Sequence, residues 1–209
     1  MNIVTIDFDI IMHYSLNIYN NLIDEDTTIS SVLMSNAEAQ FTPRADLGLY
    51  EYLTTYLIKC IKKLPKDHIF FIEDHDDVVQ FFDPNTNRIT PDEEFNIFNI
   101  DFHHDIAYDD GDIENRITEV DCGNWVKYLF ETQSNFKQYI WINTNESLEY
   151  DEPYKYDKKM VIHNINQYNL DALVKTTDYL FVCKSSEWIP INESFLYTVW
   201  EDMYEEFTK

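Results

Sequence analysis

Three short runs rich in β-branched residues, Ile3 to Ile6, Ile69 to Ile72 and Ile97 to Ile100, each break off abruptly into acidic and imidazole side chains. Runs of this length and composition form buried strands. The first gives way to Asp7-Phe8-Asp9, the second to Glu73-Asp74-His75-Asp76, and the third to Asp101-Phe102-His103-His104-Asp105. Six potential metal ligands, Asp7, Asp9, His75, Asp101, His103 and Asp105, therefore stand at strand ends. If those ends converge, four carboxylates and two imidazoles share one cleft, and unneutralised carboxylates there repel each other. Divalent cations are the simplest remedy.

Short strands alternating with amphipathic helices specify an α/β domain on a mainly parallel sheet. Tyr50, Leu53, Leu57, Cys60, Ile61 and Leu64 recur at helical spacing, with lysines toward the C-terminus and Pro65 as the stop. Further helices are predicted over Tyr14 to Leu22 and Asn124 to Glu131, with further strands at Tyr139 to Asn143, Met160 to His163 and Tyr179 to Cys183. A last helix is predicted to place Phe195, Val199, Met203 and Phe207 on one face. The segments Asp83 to Arg88 and Thr90 to Asp92 read as turns. With neither an internal repeat nor a biased linker, residues 1–209 read as one domain.

Hydrophobic residues make up 44% of the chain and aromatics 16%, enough for a sizeable core. With 15 basic against 39 acidic side chains, the formal charge of -24 repels nucleic-acid phosphates and anionic membrane surfaces and attracts cations. Most of these carboxylates are expected to form a solvated surface. Three widely spaced cysteines, Cys60, Cys122 and Cys183, suit a reducing cytoplasm better than a disulfide framework. Asp7 and Asp9 interrupt the early apolar run, so it does not read as a secretion signal, and no run approaches the length of a membrane span.

In a strand, Asp-x-His-x-Asp directs alternate side chains to one face, so Asp101, His103 and Asp105 are expected to project together while Phe102 and His104 point elsewhere. The same alternation sends Asp7 and Asp9 one way and Phe8 into the core. Hard oxygen donors with two imidazoles and no thiolate favour two Mn²⁺ ions, with zinc, iron and cobalt also open. Such a pair lowers the pKa of a shared water and supplies a nucleophile without Ser or Cys.

The block from Asp101 to Asp105 resembles the Asp-x-His-x-Asp metal motif of the arginase and agmatinase superfamily. Asp74-His75 is similar to its Gly-Asp-His block, and Asp7-Phe8-Asp9 to its Asp-x-Asp block. Together with Cys122-Gly123-Asn124-Trp125, the blocks look closest to a small arginase-like family that includes peptide arginases. The resemblance runs from Asp7 to about Trp125 and requires a permuted strand order, since the arginases place Asp-x-Asp after Asp-x-His-x-Asp. It implies a three-layer αβα fold of arginase/deacetylase type, and a binuclear hydrolase that converts a guanidino group, free or within a peptide, to urea and an amine such as ornithine. It also implies that Asp7 and Asp101 bridge the ions, that His75 and Asp105 complete one shell, and that His103 and Asp9 complete the other.

Around these blocks, Glu187 is a candidate to pair with a cationic substrate and His104 to transfer a proton, each with an ordinary surface or core role as the alternative. Asn124 reads as a helix cap, with substrate contact as a second candidate role, and Trp125 as packing. Glu73 and Asp76 either orient His75 or face solvent, while His13, His68 and His163 read as structural. Two other functions fit the same residues. Val-Thr-Ile-Asp-Phe-Asp resembles the haloacid dehalogenase phosphatases, with Asp7 as nucleophile and Asp9 as general acid, but Ile11 departs from that pattern and the acids at Tyr108 to Asp112 follow no strand. A non-catalytic metal-binding interaction protein is the third.

Overall fold

The computed structural model describes residues 1–13, 44–83, 93–107, 115–150, 160–186, 188–189 and 193–209. Its centre is a six-stranded, all-parallel sheet flanked by helices. The strands are β1 (Asn2–Asp7), β4 (Ile69–Ile72), β5 (Phe95–Ile100), β6 (Phe136–Asn143), β7 (Met160–Asn164) and β8 (Tyr179–Cys183), in the order β4-β8-β1-β5-β6-β7. Two further strands, β2 (Met12–His13) and β3 (Arg44–Ala45), form a small antiparallel pair that the sequence did not signal. The predicted helix at Tyr14 to Leu22, the turns after Asp83, the acids at Tyr108 to Asp112 and Glu187 lie outside the described residues.

Two helical layers cover the sheet. On one face lie α1 (Leu47–Lys63), α4 (Leu170–Thr176) and α5 (Ser194–Thr208), which bury Leu53, Leu57, Leu173, Leu196 and Trp200 against Val4, Ile6, Ile100, Ile142 and Val182. On the other, α2 (Trp125–Thr132) and a 3-10 turn at His75–Phe82 bury Trp125, Leu129, Val78 and Phe82 against Ile3, Ile97, Trp141 and Phe181. Another helix, α3 (Asn145–Tyr150), follows β6. Each strand divides its side chains between the faces with a period of two. No helix among the described residues is long and apolar enough to cross a membrane.

Alternation breaks down in one informative place. On the α2 side of the adjacent strands β1 and β5, Ile3 pairs with Ile97 and Thr5 with Asn99, and the next residues on that face are Asp7 and Asp101. The seam thus changes from apolar to amide and hydroxyl to carboxylate toward the C-terminal edge. β1 continues through α1 to β4 on one side of the sheet centre, whereas β5 continues through α2 to β6 on the other. The crevice where the chain diverges in opposite directions is where parallel sheets take up ligands.

Helix α5 corrects one expectation. Phe195, Val199 and Phe207 are exposed, at 58%, 47% and 50%, and Met203 is only partly buried. Leu196, Tyr197 and Trp200 occupy the core instead, because the larger aromatic surface of that stripe gains more from burial.

Candidate metal centre

β1 and β5 end in the same local device. The Asp7 carboxylate accepts a hydrogen bond from the backbone N–H of Asp9 at 3.1 Å, and that of Asp101 accepts from His103 at 2.9 Å. Such turns are what Asp favours where a strand stops. Phe8 and Phe102, the middle residues, are fully buried and anchor each turn in the core. The third residues, Asp9 and His103, then meet, with Nδ1 of His103 2.9 Å from Oδ2 of Asp9.

The expected strand geometry for Asp-x-His-x-Asp is therefore corrected. The strand stops at Ile100, and a turn rather than pleating brings Asp101 and His103 together. Asp105 arrives by a left-handed backbone, φ 54°, that costs a non-glycine residue on the order of 1–2 kcal/mol. Two contacts hold it there: its carbonyl accepts the Val126 N–H at 3.1 Å, and its Oδ2 accepts the Trp125 indole N–H at 2.8 Å.

His75 enters from the end of β4, at the start of its 3-10 turn. Its Nδ1 lies 3.1 Å from Oδ2 of Asp7, 3.1 Å from Oδ2 of Asp101 and 2.9 Å from Oδ2 of Asp105. Nδ1 of this 1% exposed side chain is thus ion-paired to three carboxylates at once, while among the described residues Nε2, like Oδ1 of Asp9, has no hydrogen-bond partner. Unsatisfied buried polar atoms are costly. Divalent ions hold O and N donors at about 2.0–2.2 Å, which sets neighbouring donors about 3 Å apart in an octahedral shell. The spacing around His75 matches that, and these buried groups can hold a metal ion.

Two ligand groups emerge, Asp7 with His75 and Asp101, and Asp9 with Asp101 and His103. Asp101 belongs to both. Asp105 adjoins the first group through its contact with His75. The six predicted ligands thus gather at one edge of the sheet.

The charge balance agrees with that geometry. Burial raises the Asp9 carboxyl well above its usual range, and Asp7 and Asp101 raise it further. Burial, then the Asp101 charge, pushes Asp105 up to about 8. Burial opposes ionisation of Asp101 too, yet His75 and His103 outweigh it and hold that carboxyl well below the usual range. Burial likewise opposes a charged His75, but Asp101, Asp105 and Asp7 overcome it and raise its pKa well above the usual value. The raised values at Asp9, Asp105 and His75 report crowded carboxylates, and the lowered one at Asp101 reports the two imidazoles beside it. Among the described residues, the groups that ion-pair with these carboxylates are imidazoles rather than the lysine a dehalogenase-type phosphatase needs.

Several side chains that position the ligands had been missed. Ser185, itself left-handed at φ 49°, donates its hydroxyl to Oδ2 of Asp7 at 2.5 Å. Asn99 donates to Oδ2 of Asp101 at 2.9 Å, and its own carbonyl accepts the Thr5 hydroxyl. Trp125 was read as packing alone; it also fixes Asp105 and lies 4.9 Å from the His75 ring. Thr5 and Asn99 were detectable, since each stands two residues before an aspartate on the same strand face.

The other candidates have different settings. His104 is 1% exposed, stands edge-on to Trp141, and accepts the Ile106 N–H at Nδ1. Asn124 stands at the N-cap position of α2 without capping it; its carboxamide accepts from Asp121 N–H and donates to the Glu119 carbonyl. Those loop contacts replace the expected cap. The Glu73 carboxylate is turned to Lys184 and Ser186. His68 bonds to the Asp178 carbonyl and stacks on Tyr179, and His163 packs on Tyr168. No protein-family model, curated protein or solved structure matches this chain.

Proposed function

We propose that this chain is a metal-dependent hydrolase whose cleft holds two divalent ions, preferably Mn²⁺, and which acts on the guanidino group of arginine or of an arginine side chain in a peptide, giving urea and an amine such as ornithine. One observation carries the reading: two buried Asp/His groups share Asp101, with Nδ1 of His75 2.9–3.1 Å from an oxygen of each of three carboxylates. Asp7, His75, Asp101 and Asp105 would hold one ion, and Asp9, Asp101 and His103 the other. When bound, the ions supply Lewis acidity toward substrate and water.

The protein's own groups have separate tasks. Ser185, Asn99 and Trp125 hold one carboxylate each, so the ligands are preorganised rather than gathered by the ions. The formal charge of -24 concentrates cationic substrates at the cleft. Trp125, fully buried and 4.9 Å from the His75 ring, is an apolar wall of the cleft, which strengthens the electrostatic contacts beside it. The unpaired state of Cys60, Cys122 and Cys183 suits the cytoplasmic setting we propose.

The test is to purify the protein without chelator, load it with Mn²⁺ and measure urea from arginine, agmatine and arginine-containing peptides. Release that chelation abolishes and Mn²⁺ restores is expected. A sample shown to contain two ions that yields no urea from any of them overturns the guanidino assignment.

A further inference from the structure

Of the six ligand side chains, that of His103 is the most exposed. The side chains of Asp9, His75 and Asp101 are 1% exposed and those of Asp7 and Asp105 7% and 6%, whereas that of His103 is 14% exposed. The indole of Trp188 lies against that imidazole, with ring centroids 5.1 Å apart and planes tilted by 51°. The most exposed ligand therefore has an indole beside it.

The position of that face follows from the turn after β8. Lys184 N–H bonds to the Ile72 carbonyl and Ser185 N–H to that of Glu73, which extends the contact between β8 and β4 past the sheet edge. Ser185 then turns the chain through its left-handed backbone, holds Asp7 with its hydroxyl, and accepts the Trp188 N–H on its carbonyl at 2.9 Å. One turn thus fixes a ligand carboxylate and sets the indole beside the His103 imidazole. Trp188 is also partly buried and packed against the hydrophobic core, which limits its freedom.

We propose that Trp188 is a specificity-determining residue of the cleft, its indole face taking the planar, delocalised cation of a guanidino substrate. This rests on the guanidino-hydrolase reading and adds the basis of its selectivity. Negative charge alone attracts ammonium and guanidinium groups alike. An indole face separates them, because guanidinium is flat, weakly hydrated and stacks on aromatic rings, whereas ammonium is compact and strongly hydrated.

The experiment compares the Mn²⁺-loaded full chain with Trp188→Leu and Trp188→Phe, following urea release from arginine and calorimetric binding of arginine, lysine and citrulline. Trp188→Leu is expected to raise KM for arginine about five- to thirty-fold, with a smaller change in kcat and wild-type metal content. Trp188→Phe is expected to recover most of the loss, and lysine binding to change little. An unchanged KM in Trp188→Leu, or loss of metal from both variants, overturns the proposal. If the wild type makes no urea, the hydrolase reading fails by itself and calorimetry decides: arginine binding weakened only in Trp188→Leu supports the role of Trp188, while no arginine binding by the wild type, or equal binding by all three proteins, overturns it.

Discussion

Asp101 stands where the two ligand groups meet, so its loss has a distinct signature. Asp101→Asn is expected to empty both sites, and His103→Ala to leave one ion per chain, as read by metal analysis after gel filtration. Equal losses in the two variants would break the shared-ligand assignment. A second prediction concerns protons. Asp105, pushed up to about 8, and Asp9, also raised, keep protons in the folded chain that an unfolded carboxyl gives up near about pH 4. Their contribution to stability is full below that pH and is lost as pH climbs toward 8. His75, with its raised pKa, acts in the same direction at higher pH; Asp101, held low, loses its contribution only in acid. Chelator-treated protein should therefore melt at progressively lower temperature from pH 5 to pH 8, while Mn²⁺, which competes with those protons, reverses the trend. Parallel melting curves with and without metal would count against it. The acidic and imidazole members were legible because three such blocks each end an apolar strand, whereas any one block alone reads as a turn, cap or surface feature. Ser185 was not, since a serine in a polar turn has an ordinary reading and only the fold sets it beside Asp7.

At the scale of elements, the strand and helix positions followed from apolar spacing, and β8 occupies the predicted residues. Two local failures have physical causes. Pleating was extended through Asp101 to Asp105, but an aspartate that accepts its own downstream N–H ends a strand. In α5 two apolar stripes competed, and the one carrying Tyr197 and Trp200 is buried. Helices α3 and α4 are too short, at six and seven residues, to display a period. The α5 assignment has a direct test in chemical denaturation. Trp200→Ala should cost about 3–5 kcal/mol, because the ring is fully buried, packs edge-on to Phe8 and stacks on Tyr50. Phe195→Ser should stay within about 0.5 kcal/mol, being 58% exposed. The reverse order would restore the other stripe.

For the whole molecule, composition foretold a large core and a strong negative field, and alternation of strands with helices foretold the parallel sheet. It did not supply strand order, which depends on which faces the helices cover. The field carries its own prediction. With -24 formal charges on 209 residues, self-repulsion weakens the folded state and salt screens it. Raising NaCl from 50 to 500 mM should raise the melting temperature of metal-free protein by roughly 2–4 °C, equivalent to about 1 kcal/mol. A flat or falling response would mean that the charges are locally compensated. The sheet order also governs how the protein is made. β8 lies between β4 and β1, although both precede it in the chain. Until the ribosome has released Tyr179 to Cys183, those two strands have no common partner, and the half-built sheet exposes two raw edges to its neighbours in the cell. A translation pause before that point leaves β4 and β1 without their shared partner, so closure of the sheet turns on a segment of five residues.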